Sequence, residues 1–287
     1  MTHVALIGFG EAGQAFAGAS GWRGPTRVHD LKGKALARAY AAAGVRAEAS
    51  AARAVEGAAL VLSVVTADQA LAAAQDAAAG LAAGALYCDL NSVAPETKRR
   101  AAEAVEARGA RYIDVAVMSP VHPARLGAPL LISGPHAEAA AEALGSVGFS
   151  RVSVVAGEVG RASAVKMIRS VMVKGIEALS AECVLAAASA GVVDAVLSSL
   201  DASPPPAAWA ARVDYNLERM MAHGLRRASE MEQVVETLEA LGDPAPMSRA
   251  AVERQRAIGR LGLSAAPPGL DDKIAAILGR REESAAV

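Results

Sequence analysis

The clearest chemical pattern in the chain is the spacing of Gly8, Gly10 and Gly13 in Gly8-Phe9-Gly10-Glu11-Ala12-Gly13, followed by Asp30. Glycines in G-x-G-x-x-G order, after an apolar run from Val4 to Ile7 and before a helix-forming run, fit a strand, a tight turn and a helix. Gly8 permits the turn, Gly10 lets a pyrophosphate approach the backbone, and Gly13 lets helix and strand pack closely. The helix start then offers free N–H groups and the positive end of its dipole. Asp30 ends a second strand-like run, near the roughly 20-residue distance at which a carboxylate meets ribose hydroxyls. A glycine-rich turn of some other α/β domain would share the spacing. The strand before it and the acidic strand end after it favour dinucleotide binding. A carboxylate at Asp30 accepts from a free 2′-hydroxyl and repels a 2′-phosphate, so NAD is favoured. Lys32 and Lys34 keep NADP possible.

The elements needed to position these residues are written along residues 1–157. Strand-like runs at 26–30, near Val45, and at 59–65, 85–90, 112–117 and 129–133 alternate with helical stretches at 34–43, 50–56, 95–108 and 136–144. Such alternation predicts an α/β Rossmann domain, a doubly wound and mostly parallel sheet that binds ligands beyond the carboxyl ends of its strands. Thr66, Asn91 and the loop after Val117 are expected to border that cleft. Residues 158–287 read as an all-helical domain, joined by a long helix over 162–190. Further helices are expected over 207–221 and 225–241, with a stripe of Met231, Val234, Val235, Leu238 and Leu241.

A 287-residue chain suits two domains. Its formal net charge of −1 gives no global field toward nucleic acid or anionic lipid. Cys88 and Cys183 form neither a disulfide framework nor a metal pattern. The alanine-rich stretches are interrupted by Gln75, Asp76 and Asp194, which argues against a membrane span, and no basic, apolar leader begins the sequence. A cytoplasmic protein is the expectation.

Four segments carry a family resemblance. These are Gly8 to Gly13, Asp89-Leu90-Asn91-Ser92-Val93-Ala94-Pro95, Asp114-Val115-Ala116-Val117-Met118-Ser119-Pro120, and Gly160-Arg161-Ala162-Ser163-Ala164-Val165-Lys166. In order and spacing the chain resembles the β-hydroxyacid dehydrogenases, the superfamily of 3-hydroxyisobutyrate and 6-phosphogluconate dehydrogenases, as a branch with a divergent helical half. The resemblance implies that Gly8, Phe9, Gly10, Glu11, Ala12, Gly13 and Asp30 hold the dinucleotide, with Val65, Thr66 and Asn91 beside its nicotinamide half. A local cap is the plainer reading of Thr66 and of Asn91. It also implies that Lys166 is the catalytic acid–base group. A lysine can exchange the hydroxyl proton if burial lowers its pKa, and Ala162, Val165, Met167 and Ile168 predict that burial.

The departures concern substrate binding. Ser170 stands where an asparagine is usual, and Arg169 replaces a second one. Met118-Ser119-Pro120-Val121-His122-Pro123 replaces a Ser-Gly-Gly motif. Ser119, His122, Ser170 and Arg169 are the substrate-binding candidates, and Asp114 is expected only to end a strand. His223, Arg226, Arg227 and Glu230 cluster on one helix, where a family lysine is missing. The reading is an NAD(P)-dependent dehydrogenase of a 3-hydroxy acid, working on a small molecule without metal. An imine reductase or a non-catalytic dinucleotide sensor are the alternatives. The resemblance and the alanine- and leucine-rich helical half predict a homodimer.

Overall fold

The computed structural model describes residues 4–20, 22, 26–202, 208–263 and 265–285. The chain divides into two compact units, Met1–Val171 and Met172–Val287. In the first unit β1 (Val4–Ile7), α1 (Glu11–Ser20), β2 (Arg27–His29), α2 (Ala37–Ala43), β3 (Arg46–Ala47), α3 (Ala51–Val55) and β4 (Leu60–Ser63) follow one another. They continue as α4 (Ala70–Ala78), β5 (Leu86–Asp89), α5 (Pro95–Glu106), β6 (Arg111–Val117), β7 (Leu130–Ser133), α6 (Ala137–Ser146) and β8 (Val152–Val154). The helix expected after Thr66 is a short 3-10 turn, Ala67–Gln69, running into α4, and the three-residue β8 lies outside the strand-like runs of the sequence.

The strands form one sheet in the order β3-β2-β1-β4-β5-β6-β7-β8, parallel throughout except for the antiparallel β6–β7 pair. The first six strands have the dinucleotide-fold order 3-2-1-4-5-6. Side chains alternate between two buried faces, as a strand period of two requires. Leu6, Leu62, Cys88 and Ile113 share one core with Phe16 of α1 and Phe149. Ala5, Ile7, Val61, Tyr87 and Tyr112 share the other with the small residues of α3, α4 and α5. Because β1 and β4 are neighbours while their crossover connections diverge, a crevice opens beyond their carboxyl ends.

The second unit is helical. It takes the later turns of α7 (Arg161–Ser189), then α8 (Val193–Asp201), α9 (Trp209–Ala240), α10 (Pro246–Gly259) and α11 (Leu270–Ala285). The two helices expected over 207–221 and 225–241 are one 32-residue helix, α9. Gly224, between the two expected segments, is a contact point: a Cβ there would meet the Gln255 carbonyl oxygen at 2.5 Å and the Gly259 Cα at 2.9 Å. The interior glycine costs about 1 kcal/mol of helix propensity, set against the close packing of α9 on α10. Among the described residues no helix is long and apolar enough to cross a membrane.

Candidate active site

The glycine turn is built as its spacing requires. Gly8 has φ +93°, and a Cβ on it would lie 2.6 Å from the Val64 carbonyl oxygen. At Gly13 a Cβ would lie 2.7 Å from the Gly8 carbonyl oxygen, whereas at Gly10 it would meet nothing within 4 Å. Two of the glycines therefore serve the protein's own packing, and the middle one faces open space at the start of α1. Asp30 closes the turn from the other side: its carboxylate accepts from the Phe9 N–H at 2.7 Å and from the Lys32 N–H at 2.7 Å. A cavity of about 480 Å³ here is bordered by Gly8, Gly10, Asp30, Lys32, Val65 and Thr66, among others. An open backbone cradle at a helix start, with a carboxylate at the next strand end, fits a dinucleotide's pyrophosphate and ribose.

A second cavity, of about 550 Å³, is bordered by Glu11, Ala12, Val65, Thr66, Asn91, Ser92, Ser119 and Lys166, with several apolar neighbours. It brings the carboxyl ends of β1, β4, β5 and β6 to one place. Asn91 is buried, and its side chain is a bracket between strands. Its Oδ1 accepts from the Val65 N–H at 2.7 Å, and its Nδ2 donates to Ser63 Oγ at 3.0 Å. Thr66 precedes a short 3-10 turn without capping it through its side chain, and the residue before α5 is Ala94 rather than Asn91. Neither local-cap reading describes what these side chains do.

Lys166 is half-buried on the second turn of α7, and its Nζ donates to Ser92 Oγ at 2.5 Å. The burial expected from its neighbours is only partly met: Ala162 is fully buried, but Val165 and Ile168 are 39% and 71% exposed. Ser92 was not singled out as a site residue, although it lies inside a segment that carried the resemblance.

What holds Lys166 in place is a buried polar cluster beneath it. Asp114 lies in the middle of β6 rather than at its end and is fully buried. Its carboxylate accepts from the N–H of Gly160 at 3.1 Å, the N–H of Ser163 at 2.9 Å and the Ser163 hydroxyl at 2.5 Å. These are donors of the first turn of α7, so a sheet residue caps the helix that carries Lys166. Ser133 of β7 donates to Asp114 at 3.2 Å and accepts from the Ala162 N–H at 3.0 Å. Lys98, also fully buried, lies 3.5 Å from Asp114 and 2.9 Å from Asp89. Tyr112 donates to Asp89 at 2.6 Å. Burial, and then the charge of Asp89, raise the Tyr112 hydroxyl well above its ordinary range and keep it a donor. The same two causes push the Cys88 thiol up to about 12. The signal for this cluster was an aspartate amid the apolar residues of β6, where an unpaired charge is too costly to remain.

The substrate-binding candidates separate in space. Ser119 borders the Lys166 cavity, with its hydroxyl donating to the Pro120 carbonyl at 3.0 Å. Ser170 is one turn beyond Lys166 and donates back to its carbonyl oxygen at 2.9 Å. Arg169 is exposed and does not border the cavity. His122 is exposed and lines a different cavity, with Glu11, Gln14 and Arg125.

Residues 3–157 match the family described as the NAD binding domain of 6-phosphogluconate dehydrogenase, and residues 187–258 match a domain of unknown function, DUF1932. The chain is 31% identical over 218 residues to a 3-hydroxyisobutyrate dehydrogenase of Pseudomonas aeruginosa, covering 73% of this chain and 72% of that one. Among solved structures, a conserved hypothetical protein of Sinorhizobium meliloti 1021 is 37% identical with a TM-score of 0.60, over 98% of this chain and 97% of that chain. An imine reductase of Streptomyces aurantiacus has a TM-score of 0.73 at 20% identity, over 96% and 98% of the two chains, a likeness of fold. The chain belongs to the β-hydroxyacid dehydrogenase superfamily, with an N-terminal Rossmann domain that takes a nicotinamide cofactor.

Proposed function

We propose that this oxidoreductase, whose class acts on CH–OH groups, moves a hydride between nicotinamide and a 3-hydroxy acid or its oxo form, with Lys166 as the acid–base group. The observation that carries the reading is the Lys166 Nζ on a cavity that also reaches Glu11, Thr66, Asn91 and Ser119. Residues 8–13 would hold the pyrophosphate, Asp30 the adenosine ribose, and Val65, Thr66 and Asn91 the nicotinamide half. The cofactor, when bound, accepts or supplies the hydride. Lys166 takes the proton from the substrate hydroxyl oxygen during oxidation and returns it during reduction. Ser92 orients the Nζ, and the Ser119 hydroxyl and neighbouring backbone receive the acid group. Arg169 and His122 stand outside that cavity and carry no part of the reading. Ser170 stiffens the turn that bears Lys166.

Asp30 favours NAD, because its carboxylate is fixed by two backbone amides and repels a 2′-phosphate. The exposed apolar side chains of the later turns of α7 and of α8, among them Ile176, Leu185, Leu197 and Leu200, support a homodimer through the helical unit. The test is fluorescence titration with NADH and NADPH, then turnover on a panel of 3-hydroxy acids beside Lys166→Ala. Tighter NADH binding and a loss of turnover by about three powers of ten or more in the variant, at unchanged cofactor affinity, are expected. Undiminished turnover in Lys166→Ala would remove the lysine from the mechanism. Cofactor binding without turnover of any substrate would favour a sensor.

A further inference from the structure

The helical unit contains a cavity of about 310 Å³ lined by Tyr215, Asn216, Arg219, Met220 and Arg227 of α9 and by Gln255 of α10. Arg219 and Arg227 are a little over two helical turns apart, and both reach this one space. Among the described residues no acidic side chain lines it. The Nε atoms of both guanidinium groups and the Oε1 of Gln255 are buried and, among the described residues, have no hydrogen-bond partner. Among the described carboxylates of α9, Asp214 and Glu218 pair with Lys273, Glu232 with Arg256, and Glu239 with Arg249. Glu182 is committed to the amides of Met247 and Ser248. Two cations facing one cavity repel each other, and water can fill their hydrogen bonds without cancelling their charge. Tyr215 and Asn216 are exposed, so the cavity is reached from solvent.

We infer that this cavity binds a small oxyanion that also carries an O–H donor, the chemistry of hydrogen phosphate and of phosphate monoesters. The planar forks of Arg219 and Arg227 match phosphate oxygens, and the anion compensates both charges. The ligand's remaining O–H donates to Gln255 Oε1, which no protein group serves. The site stands apart from the reading of Lys166 and does not depend on it.

Calorimetric titration of the full chain with inorganic phosphate, and separately with sulfate, tests the assignment near neutral pH. Saturable phosphate binding is expected, with weaker binding of sulfate, which has no O–H to offer Gln255. Arg219→Gln and Arg227→Gln should each lower phosphate affinity roughly tenfold or more, and Arg227→Lys, which keeps the charge without the fork, should fall between. Arg212→Gln, an exposed cation on the same helix, should leave it unchanged, whereas phosphate held only at the glycine turn would be insensitive to all of these substitutions and would overturn the assignment. Circular dichroism confirms that each variant is folded. Absence of saturable binding, sulfate binding as tight as phosphate, or equal losses in Arg212→Gln would overturn the assignment. So would arginine variants that dissociate an oligomer while phosphate binding persists, since the cavity would then take a carboxylate of a second copy.

Discussion

Gly8 and Gly10 are the same residue two positions apart, yet a methyl group on each meets a different fate. On Gly8 it collides with the Val64 backbone in a left-handed conformation, and on Gly10 it projects into open space. Gly8→Ala should therefore destabilise the protein by about 1–3 kcal/mol, read as a lower melting temperature. Gly10→Ala should leave the melt within about 1 kcal/mol of the parent while weakening dinucleotide binding in a fluorescence titration. Equal melting temperatures for the two variants would contradict this division of roles. The turn was legible in the sequence because its glycines and strand lie within one local stretch. The Lys166–Ser92 bond spans 74 positions and the Asp114–Ser163 bond spans 49, so neither partner is marked by its neighbours. The family resemblance pointed to Lys166, whereas Asp114 was expected only to end a strand, although an aspartate amid apolar residues requires a partner.

At the scale of elements, helix starts are anchored by acids from other parts of the chain. Asp114 serves α7, and Glu182 of α7 serves α10 through the N–H groups of Met247 and Ser248 and the Ser248 hydroxyl. Burial alone would raise the Glu182 carboxyl, but those three hydrogen bonds outweigh it and hold its pKa below the ordinary glutamate value. A depressed folded-state pKa contributes stability that is present above the unfolded value and disappears as pH falls through the folded one. Thermal melts across the acid range should show the parent losing stability there more steeply than Glu182→Gln, and identical slopes would remove Glu182 from the acid response. Strand and helix alternation was readable from periodicity alone. The unbroken α9 was not, because the reason for Gly224 is the backbone of α10, which local sequence does not contain.

For the whole molecule, the apolar residues left exposed along α7 and α8, including Leu197 and Leu200, exceed what scattered surface leucines explain. Sedimentation of the full chain should give the mass of a dimer, and Val171→Glu with Leu185→Glu should shift it to monomer. A monomeric parent at micromolar concentration would refute the homodimer. Sequence reading reached the two-part plan through the change from alternating to purely helical patterns near residue 160. A further consequence concerns where the chain can be cut. A fragment ending at residue 157 keeps every strand of the sheet, yet it strips Asp114 and Ser133 of partners supplied by residues 160–163. It should be less stable than a fragment ending at residue 171 by about 3 kcal/mol, visible in urea titrations of the two pieces. The first turns of α7 thus belong with the sheet whose polar cluster they complete, although most of that helix lies in the other unit.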